Sequence, residues 1–194
     1  EGSPADCVLA GLHDVMTDAH PDLVLSGVNR GNNSAENTLY SGTIGAAIEA
    51  ALQGVKAIAL SQYYGPDNAK SDAPFGAAAQ HGAKVVQQLL DHGGWDDADY
   101  RLFYNVNFPP VPADAVKGTL AVAQGFRRDT NFGVDPHTSP SGRKFLWIRG
   151  GPQNVPTAPG TDAHANLDGY ISVTPMRADM TDRKTLANLQ GVFG

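Results

Sequence analysis

Amide, hydroxyl and glycine residues are concentrated in one segment of the chain, Ser26-Gly-Val-Asn-Arg-Gly-Asn-Asn33, which is followed by Tyr40-Ser-Gly-Thr43. The carboxamide oxygen of an asparagine can bind a hard cation, and its NH2 group can donate to a phosphate oxygen. Glycines on either side of Asn29 let the backbone bend and approach a ligand closely. The Ser-Gly-Thr run stands where a helix is expected to begin, and free N–H groups there favour anions. The segment therefore predicts a site for a metal ion and a phosphate group.

The same residue types also build ordinary turns, because asparagine tolerates left-handed backbone and glycine adopts it without strain. Ser41 or Thr43 can equally serve only as the N-cap of the helix. Composition alone leaves these two interpretations balanced. The place of the segment favours a ligand site, because open α/β sheets bind ligands just beyond the carboxyl ends of their strands.

Helix and strand patterns alternate along residues 1–110. The predicted elements are a helix that begins at Ser3 and Pro4 and contains Cys7, a strand over Leu23–Leu25 covered on both faces, a helix from Thr43 that stops at Gly54, a strand over Ala57–Leu60, a helix over Val85–Leu90 that ends at Gly93, and a strand over Arg101–Phe108. Such alternation indicates parallel strands joined by right-handed crossovers. The sequence therefore predicts an α/β fold with a mainly parallel sheet.

Helical periodicity fades after Pro110. Residues 111–159 read as a β-rich extension with strands near Thr119–Ala123 and Phe145–Ile148, and residues 160–194 return to the core with a strand over Tyr170–Val173 and a terminal helix over Leu186–Phe193. The extension carries aromatic residues with little helical core to cover them, namely Phe126, Phe132, Phe145 and Trp147. Exposed aromatic clusters commonly mark interfaces. We therefore expect at least a dimer built through residues 111–159.

Composition excludes several classes of protein. The formal net charge is −6, which argues against a general surface for nucleic-acid polymers. The single cysteine, Cys7, allows no internal disulfide and is consistent with a reducing, cytoplasmic compartment. Its place in an amphipathic helix pattern predicts a buried packing role. No apolar run is long enough for a membrane span, and no signal peptide is visible.

Other reactive residue types form weaker patterns. The six histidines are scattered singly, and no serine-hydrolase, Walker or dinucleotide-binding motif occurs. Arg127-Arg128-Asp129 fits a phosphate or subunit contact and an exposed charged turn about equally well. Asp162 lies in a Gly-Thr-Asp turn, where a structural role is favoured over a place in the cleft. Asp96 and Asp97 follow Trp95 in a polar linker and read as a solvated turn.

The asparagine segment and Tyr40-Ser-Gly-Thr43 closely resemble the signature of the SurE family of survival-protein nucleotidases. The resemblance is collinear over nearly the whole chain, through Gly2-Ser-Pro-Ala-Asp-Cys-Val8, Ala57-Ile-Ala-Leu-Ser61, Asn105-Val-Asn-Phe-Pro109, Gly160-Thr-Asp162 and Gly169-Tyr-Ile-Ser-Val-Thr-Pro175. It implies a Rossmann-like three-layer core with a projecting β-rich region, self-association into dimers or tetramers, and no membrane partner. It also implies a divalent-metal phosphatase, using Mg2+ or Mn2+, that acts on nucleoside 5′- and 3′-monophosphates.

By the same resemblance, Asn29 binds the metal ion, and Asn33, Ser41, Gly42 and Thr43 bind the phosphate of the substrate. One departure concerns the metal. The family holds it with an Asp-Asp-Gly loop after its first strand, and this chain contains no Asp-Asp-Gly. The simplest interpretation is that the family's amino-terminal βαβ portion lies outside this sequence, which leaves the catalytic residues unassigned. We therefore expect residues 1–194 alone to be inactive.

The missing aspartates also support a second hypothesis. The chain can be a nucleotide-binding or assembly module without catalysis, because one asparagine does not hold a hydrated divalent ion tightly.

Overall fold

The computed structural model describes residues 2–65, 68–96, 98–128 and 132–193. Within these ranges the main sheet has five strands in the order β1-β2-β3-β7-β4, and two further strands, β5 and β6, form a separate hairpin. The strands are β1 Leu23–Arg30, β2 Lys56–Gln62, β3 Phe103–Phe108, β4 Gly118–Ala121, β5 Gly133–Thr138, β6 Lys144–Arg149 and β7 Tyr170–Met176. The helices are α1 Pro4–Ala10, α2 Gly42–Leu52, α3 Gly76–His92, α4 Asp162–Leu167 and α5 Arg183–Phe193.

Strand direction changes once across the main sheet. β1, β2 and β3 are mutually parallel, whereas β7 is antiparallel to β3 and parallel to β4. A parallel crossover needs a dozen or more residues, usually with a helix. The connection from β3 to β4 is short and contains only the 3-10 turn Ala113–Ala115, so the chain reverses direction there. The predicted α/β fold with a mainly parallel sheet is confirmed.

Apolar side chains cover both faces of the sheet. In β2, Ile58 and Leu60 face α3, whereas Ala57 and Ala59 face α2, as the two-residue period of a strand requires. The α3 side also contains Val85, Val106 and Phe108, and the α2 side contains Ile44, Ala47, Ala51 and Phe103. The core is therefore a three-layer helix–sheet–helix arrangement.

The first two elements differ from the prediction. β1 is not covered on both faces, because Leu25 is 48% and Val28 is 39% exposed. The reason is topological: β1 stands at the end of the strand order of the described sheet. Cys7 is exposed and not buried, because it lines the open groove between α1 and β1. The prediction of a buried packing role for Cys7 was therefore wrong.

Local signals at the helix ends were more reliable. Ser3 caps α1, its side chain accepts from the backbone N–H of Asp6, and the Asp6 carboxylate accepts in return from the Ser3 N–H. Pro4 occupies the first turn, where its missing N–H costs nothing. After the end of α2, Gly54 adopts φ +88° and allows the chain to turn into β2.

The β-rich part is divided between two structures. β4 joins the main sheet, whereas β5 and β6 pair as a hairpin of their own. β5 escaped prediction because its sequence contains Pro136 and alternates poorly, and proline is tolerated only in an edge strand. The division into a core over residues 1–110, an extension over 111–159 and a return over 160–194 stays a prediction.

Two further sequence features belong to the periphery. Asp96 forms an ion pair with Arg177 at the surface, and Asp97 lies outside the described residues. No helix in the described ranges combines the length and the apolar character that a bilayer crossing needs.

Candidate functional site

The loops that follow β1, β2 and β3 meet at one edge of the sheet, because the three strands are parallel. Asn33 is the centre of a buried polar network at this edge. Its backbone N–H donates to Asn107 Oδ1 at 2.7 Å, and its Nδ2 donates to Ser61 Oγ at 2.7 Å. Asn105 Nδ2 donates to the Asn33 carbonyl at 2.8 Å. The loop after β1 is thereby fixed to the two neighbouring strands.

Asn29 lies near the end of β1, in register with Ser61 of β2, and is half-buried. Its Nδ2 donates to the Gly31 carbonyl at 3.0 Å. Because this bond uses the amide nitrogen within the loop, Oδ1 is the atom of the carboxamide suited to an external cation. Asn29 therefore fits the role of one neutral oxygen ligand.

Ten residues separate the end of β1 from the entrance of α2. Ser41 is its N-cap, and its Oγ accepts from the Ile44 N–H at 3.1 Å. Gly42 is required by a close approach, because a Cβ at that position would lie 2.9 Å from Pro4 Cγ. The first N–H groups of a helix have no partner within the helix. Those of Gly42 and Thr43 are therefore suited to hold a phosphate oxygen.

A buried arginine holds the other side of the loop. Arg127 has a side chain with no exposed surface. Its guanidinium donates to Asn32 Oδ1 at 3.0 Å, to Ser34 Oγ at 3.0 Å and to the Ser34 carbonyl at 3.1 Å. It also forms an ion pair with Glu36 at 3.2 Å. The interpretation of Arg127 as an exposed charged turn was therefore wrong, while Arg128 is exposed and Asp129 lies outside the described residues.

Asp162 is the second buried charge next to the loop. Its carboxylate accepts from the N–H groups of Ala35 at 3.0 Å, Gly125 at 2.9 Å and Ala163 at 2.7 Å. Burial raises the pKa of Asp162 above its usual value, and the three hydrogen bonds offset this only in part. Ala35 has φ +55°, an uncommon conformation for a residue with a side chain. Asp162 stabilises that conformation directly, which confirms its predicted structural role.

The pKa of Glu36 is shifted in the direction opposite to that of Asp162. Burial tends to raise its pKa, but hydrogen bonds from the backbone N–H and the guanidinium of Arg127 outweigh this, and the pKa of Glu36 falls below its ordinary value of 4.5. A carboxylate with a lowered pKa stabilises the fold above its ordinary pKa, and that contribution is lost as the pH falls through the lowered pKa. The Glu36–Arg127 pair is therefore at full strength at neutral pH.

Replacing Glu36 with glutamine should make stability less sensitive to acid. We expect wild type to be the more stable protein at pH 7, and the two urea midpoints to converge as the pH falls below the lowered pKa of Glu36. Urea denaturation at pH 7 and at a series of acidic pH values measures this, with Glu49→Gln in α2 as the control. A difference in urea midpoint that stays the same from pH 7 to the most acidic value would contradict the assignment.

Sequence reasoning placed some of these residues and missed others. Asn29 and the Ser41–Thr43 run lie at the carboxyl end of β1 and the entrance of α2, which packs on that strand. Asn33 is buried, with its Nδ2 bound to Ser61, and its role in phosphate binding stays a prediction. Asn105 and Asn107 of β3 were recognised only as part of the Asn105–Pro109 motif, although two asparagines two residues apart share one face of a strand. Gln153, which accepts from Asn32 Nδ2 at 3.2 Å and Asn37 Nδ2 at 2.6 Å, was missed.

Carboxylates do not complete a metal site in the part of the chain that the structure describes. No group of three or more His, Cys, Asp or Glu side chains is arranged there to hold a metal ion. A groove of about 630 Å3 does lie beside the site, between α1 and the exposed side of β1, with Gly2, Pro4, Ser26 and Gly27 among its lining residues. Its lining is mainly apolar and supplies no carboxylate.

This combination of an open α/β sheet, an amide-rich loop after its edge strand and a polar helix entrance is typical of phosphate-binding α/β proteins. The family model described as survival protein SurE matches residues 1–131. The chain therefore belongs to the SurE family.

Individual relatives agree with that assignment. A protein named 5′-nucleotidase SurE from Cereibacter sphaeroides (strain ATCC 17025) is 68% identical over 194 residues, which is 100% of this chain and 74% of the relative. The protein of the same name from Roseobacter denitrificans is 68% identical over 192 residues, covering 99% of this chain and 74% of the relative. The crystal structure of SurE from Aquifex aeolicus superposes with a TM-score of 0.75 at 31% identity, covering 99% of this chain and 73% of that one.

Proposed function

We propose that the protein is a metal-dependent phosphomonoesterase that hydrolyses nucleoside 5′- and 3′-monophosphates to nucleoside and phosphate. The proposal rests on Asn29 near the carboxyl end of β1 and on the polar entrance of α2, the next α-helix along the chain, in a chain that is 68% identical to a protein named 5′-nucleotidase SurE. A neutral cation ligand and the first N–H groups of a helix suit a doubly charged phosphate ester.

The described residues account for part of this chemistry. The N–H groups of Gly42 and Thr43 hold and orient the phosphate, and they stabilise the negative charge that grows on its oxygens during hydrolysis. Asn33 supports this indirectly, because it anchors the loop that leads to the entrance. A bound Mg2+ or Mn2+ would neutralise charge on the phosphate and lower the pKa of a water molecule. Asn29 would provide one of its ligands, and the described residues contain no group of three or more His, Cys, Asp or Glu side chains that completes the set.

Phosphate release tests the proposal. The complete protein should release phosphate from adenosine, guanosine, cytidine and uridine monophosphates in the presence of Mn2+, and excess EDTA should abolish the release. A glucose phosphate of equal charge serves as the control substrate and should react more slowly. No release from any nucleoside monophosphate at any Mn2+ or Mg2+ concentration would refute the proposed activity.

Asn29→Ala should change metal dependence before it changes folding. The side chain lies near the end of β1, and its one hydrogen bond among the described residues goes to the Gly31 carbonyl, so its removal costs little stability. We expect the Mn2+ concentration for half-maximal turnover to rise about 10-fold or more, as for lost metal ligands and their supports. Asn188→Ala, at an exposed asparagine of α5, is the matched control. Unchanged metal titration and turnover in Asn29→Ala would remove the residue from the site.

One observation favours a second function. Because the described residues contain no carboxylate cluster for a metal ion, a nucleotide-binding or assembly module without catalysis is the alternative. The two proposals differ in one result. A module retains nucleoside monophosphate in equilibrium dialysis and releases no phosphate from it.

We further propose that the protein self-associates as a dimer or tetramer through residues 111–159. Support comes from the exposure of Phe126, Phe132, Phe145 and Trp147, of which Phe126 is 65% and Trp147 is 61% exposed. Strand β6 presents two of these residues, Phe145 and Trp147, and aromatic side chains are enriched in interfaces. Light scattering at micromolar concentration should give at least twice the monomer mass. A monomer would refute the assignment.

A further inference from the structure

Arg127 lies between β4 and β5, far along the chain from Asn29 and the α2 entrance. It is nevertheless the most highly connected side chain next to the loop. Its Nη2 donates to Asn32 and Ser34, its Nη1 donates to Ser34 and Glu36, and its Nε donates to the Gln153 carbonyl at 3.2 Å. Its backbone N–H also donates to Glu36 Oε2 at 3.0 Å. A side chain without exposed surface, whose nitrogens are directed at the protein, does not contact a substrate.

All of these acceptors except the Gln153 carbonyl belong to one short segment. Asn32, Ser34 and Glu36 lie within the ten residues that separate the end of β1 from the N-cap Ser41. Asn32 Oδ1 also accepts from Ser34 Oγ at 2.8 Å and from Asn37 Nδ2 at 3.1 Å. The Ser34 N–H also donates to it at 3.4 Å, and with four donors on this oxygen Asn32 is a fixed point of the segment and not a metal ligand.

The segment is held from two sides. Ser61 and Asn107 fix Asn33 to the central strands, whereas Arg127 fixes the residues on either side of Asn33 to the β-rich part of the chain. Buried side chains with bidentate geometry lose little freedom on binding, and they define one conformation of their partners. The spacing between Asn29 and the α2 entrance therefore depends on both attachments.

We propose that Arg127 is a positioning residue of the phosphate site. Acting through Asn32 and Ser34, it sets the position of Asn29 relative to the Gly42–Thr43 N–H groups. The β-rich extension then shapes the site as well as any subunit interface. This inference rests on the proposed function for the identity of the substrate, but the geometry it describes is measurable without turnover.

Three variants of the complete protein test the inference, with Arg128→Ala as the matched control because Arg128 is the exposed neighbour. Arg127→Ala removes all side-chain contacts, Arg127→Lys keeps the charge without the planar fork, and Ser34→Ala removes a single hydroxyl. Thermal unfolding reports the fold. Mn2+ binding followed by electron paramagnetic resonance, and KM and kcat for a nucleoside monophosphate, report the site.

Loss of an outer partner of a ligand typically costs about 10- to 100-fold in metal affinity or activity. We expect a loss in this range for Mn2+ affinity and for kcat/KM in Arg127→Ala, a smaller loss in Arg127→Lys, and about a 3-fold loss in Ser34→Ala. Guanidinium ion at millimolar concentration should restore part of the Mn2+ affinity of Arg127→Ala, while equal NaCl should not. Arg128→Ala should match wild type.

Two results overturn the inference. One is wild-type Mn2+ affinity and KM in a folded Arg127→Ala or Arg127→Lys. The other, which decides the matter if both Arg127 variants fail to fold, is wild-type behaviour of Ser34→Ala in every readout. Absence of turnover in the wild-type protein refutes the proposed function instead, and the Mn2+ affinities of the variants still decide the role of Arg127.

Discussion

Replacing Gly27 with alanine should destabilise the protein by about 3 kcal/mol or more and abolish function at the carboxyl end of β1. Gly27 has φ +128°, a conformation that residues with a Cβ rarely adopt. A Cβ at this position would lie 2.2 Å from the Leu60 carbonyl oxygen of the adjacent strand. Because that atom belongs to the backbone, only a shift of β1 away from β2 relieves the overlap. Asn29 lies two residues further on and moves with the strand.

The urea midpoint at a fixed protein concentration measures this effect, together with Mn2+ binding for the position of Asn29. Gly45→Ala is the matched control, since Gly45 lies in α2 with nothing within 4 Å of an added Cβ. Alanine there should stabilise the helix by up to about 1 kcal/mol. A folded Gly27→Ala protein with a wild-type urea midpoint would show that the β1–β2 approach is less tight than described.

Asp162→Ala should have the second largest effect, with a loss of about 3 kcal/mol of stability. The substitution leaves the buried N–H groups of Ala35, Gly125 and Ala163 without their acceptor, and each such group costs about 1–3 kcal/mol. Part of the loss is returned, because burial raises the pKa of Asp162 and so makes its ionised form unfavourable. The Ala35 turn should also relax, which disturbs the path to the α2 entrance.

Two further variants make this prediction specific. Asp162→Asn keeps one acceptor oxygen and should lose less stability than Asp162→Ala. Asp168→Ala, which removes an exposed carboxylate paired with Lys117, should leave the urea midpoint close to that of wild type. Equal urea midpoints for Asp162→Ala and Asp168→Ala would contradict the role assigned to Asp162.

The core was predictable because its elements are marked locally. The capping signals at Ser3 and Ser41 and the glycine after α2 each act within one turn of the chain. Strand β2 is buried on both faces, and its continuous apolar run is what a covered parallel strand requires. β1 carries a similar run but lies at the end of the described sheet. Its exposure was unpredictable from the run, because a strand's neighbours are set by topology.

The site was only partly predictable for a related reason. Asn29 lies near the end of a strand and Ser41 caps a helix, which are positions that a pattern reveals. Arg127 and Asp162 act on the loop across 93 and 127 residues of sequence, and no local pattern reports such partners. The charge of Arg127 left an exposed turn as one interpretation, because lone charged residues are usually solvated. Hydrogen bonds to the loop offset the cost of burying the two charges, and the groups that make these bonds become neighbours only in the folded chain.

A structure of the complete protein with Mn2+ and the phosphate analogue vanadate tests the central claim most directly. We expect an anomalous manganese peak about 2 Å from Asn29 Oδ1, the distance expected for a small hard cation. We also expect vanadate oxygens within hydrogen-bond reach of the Gly42 and Thr43 N–H groups. Manganese and vanadate bound together elsewhere, with Asn29 and the α2 entrance unchanged and without ligand, would contradict it.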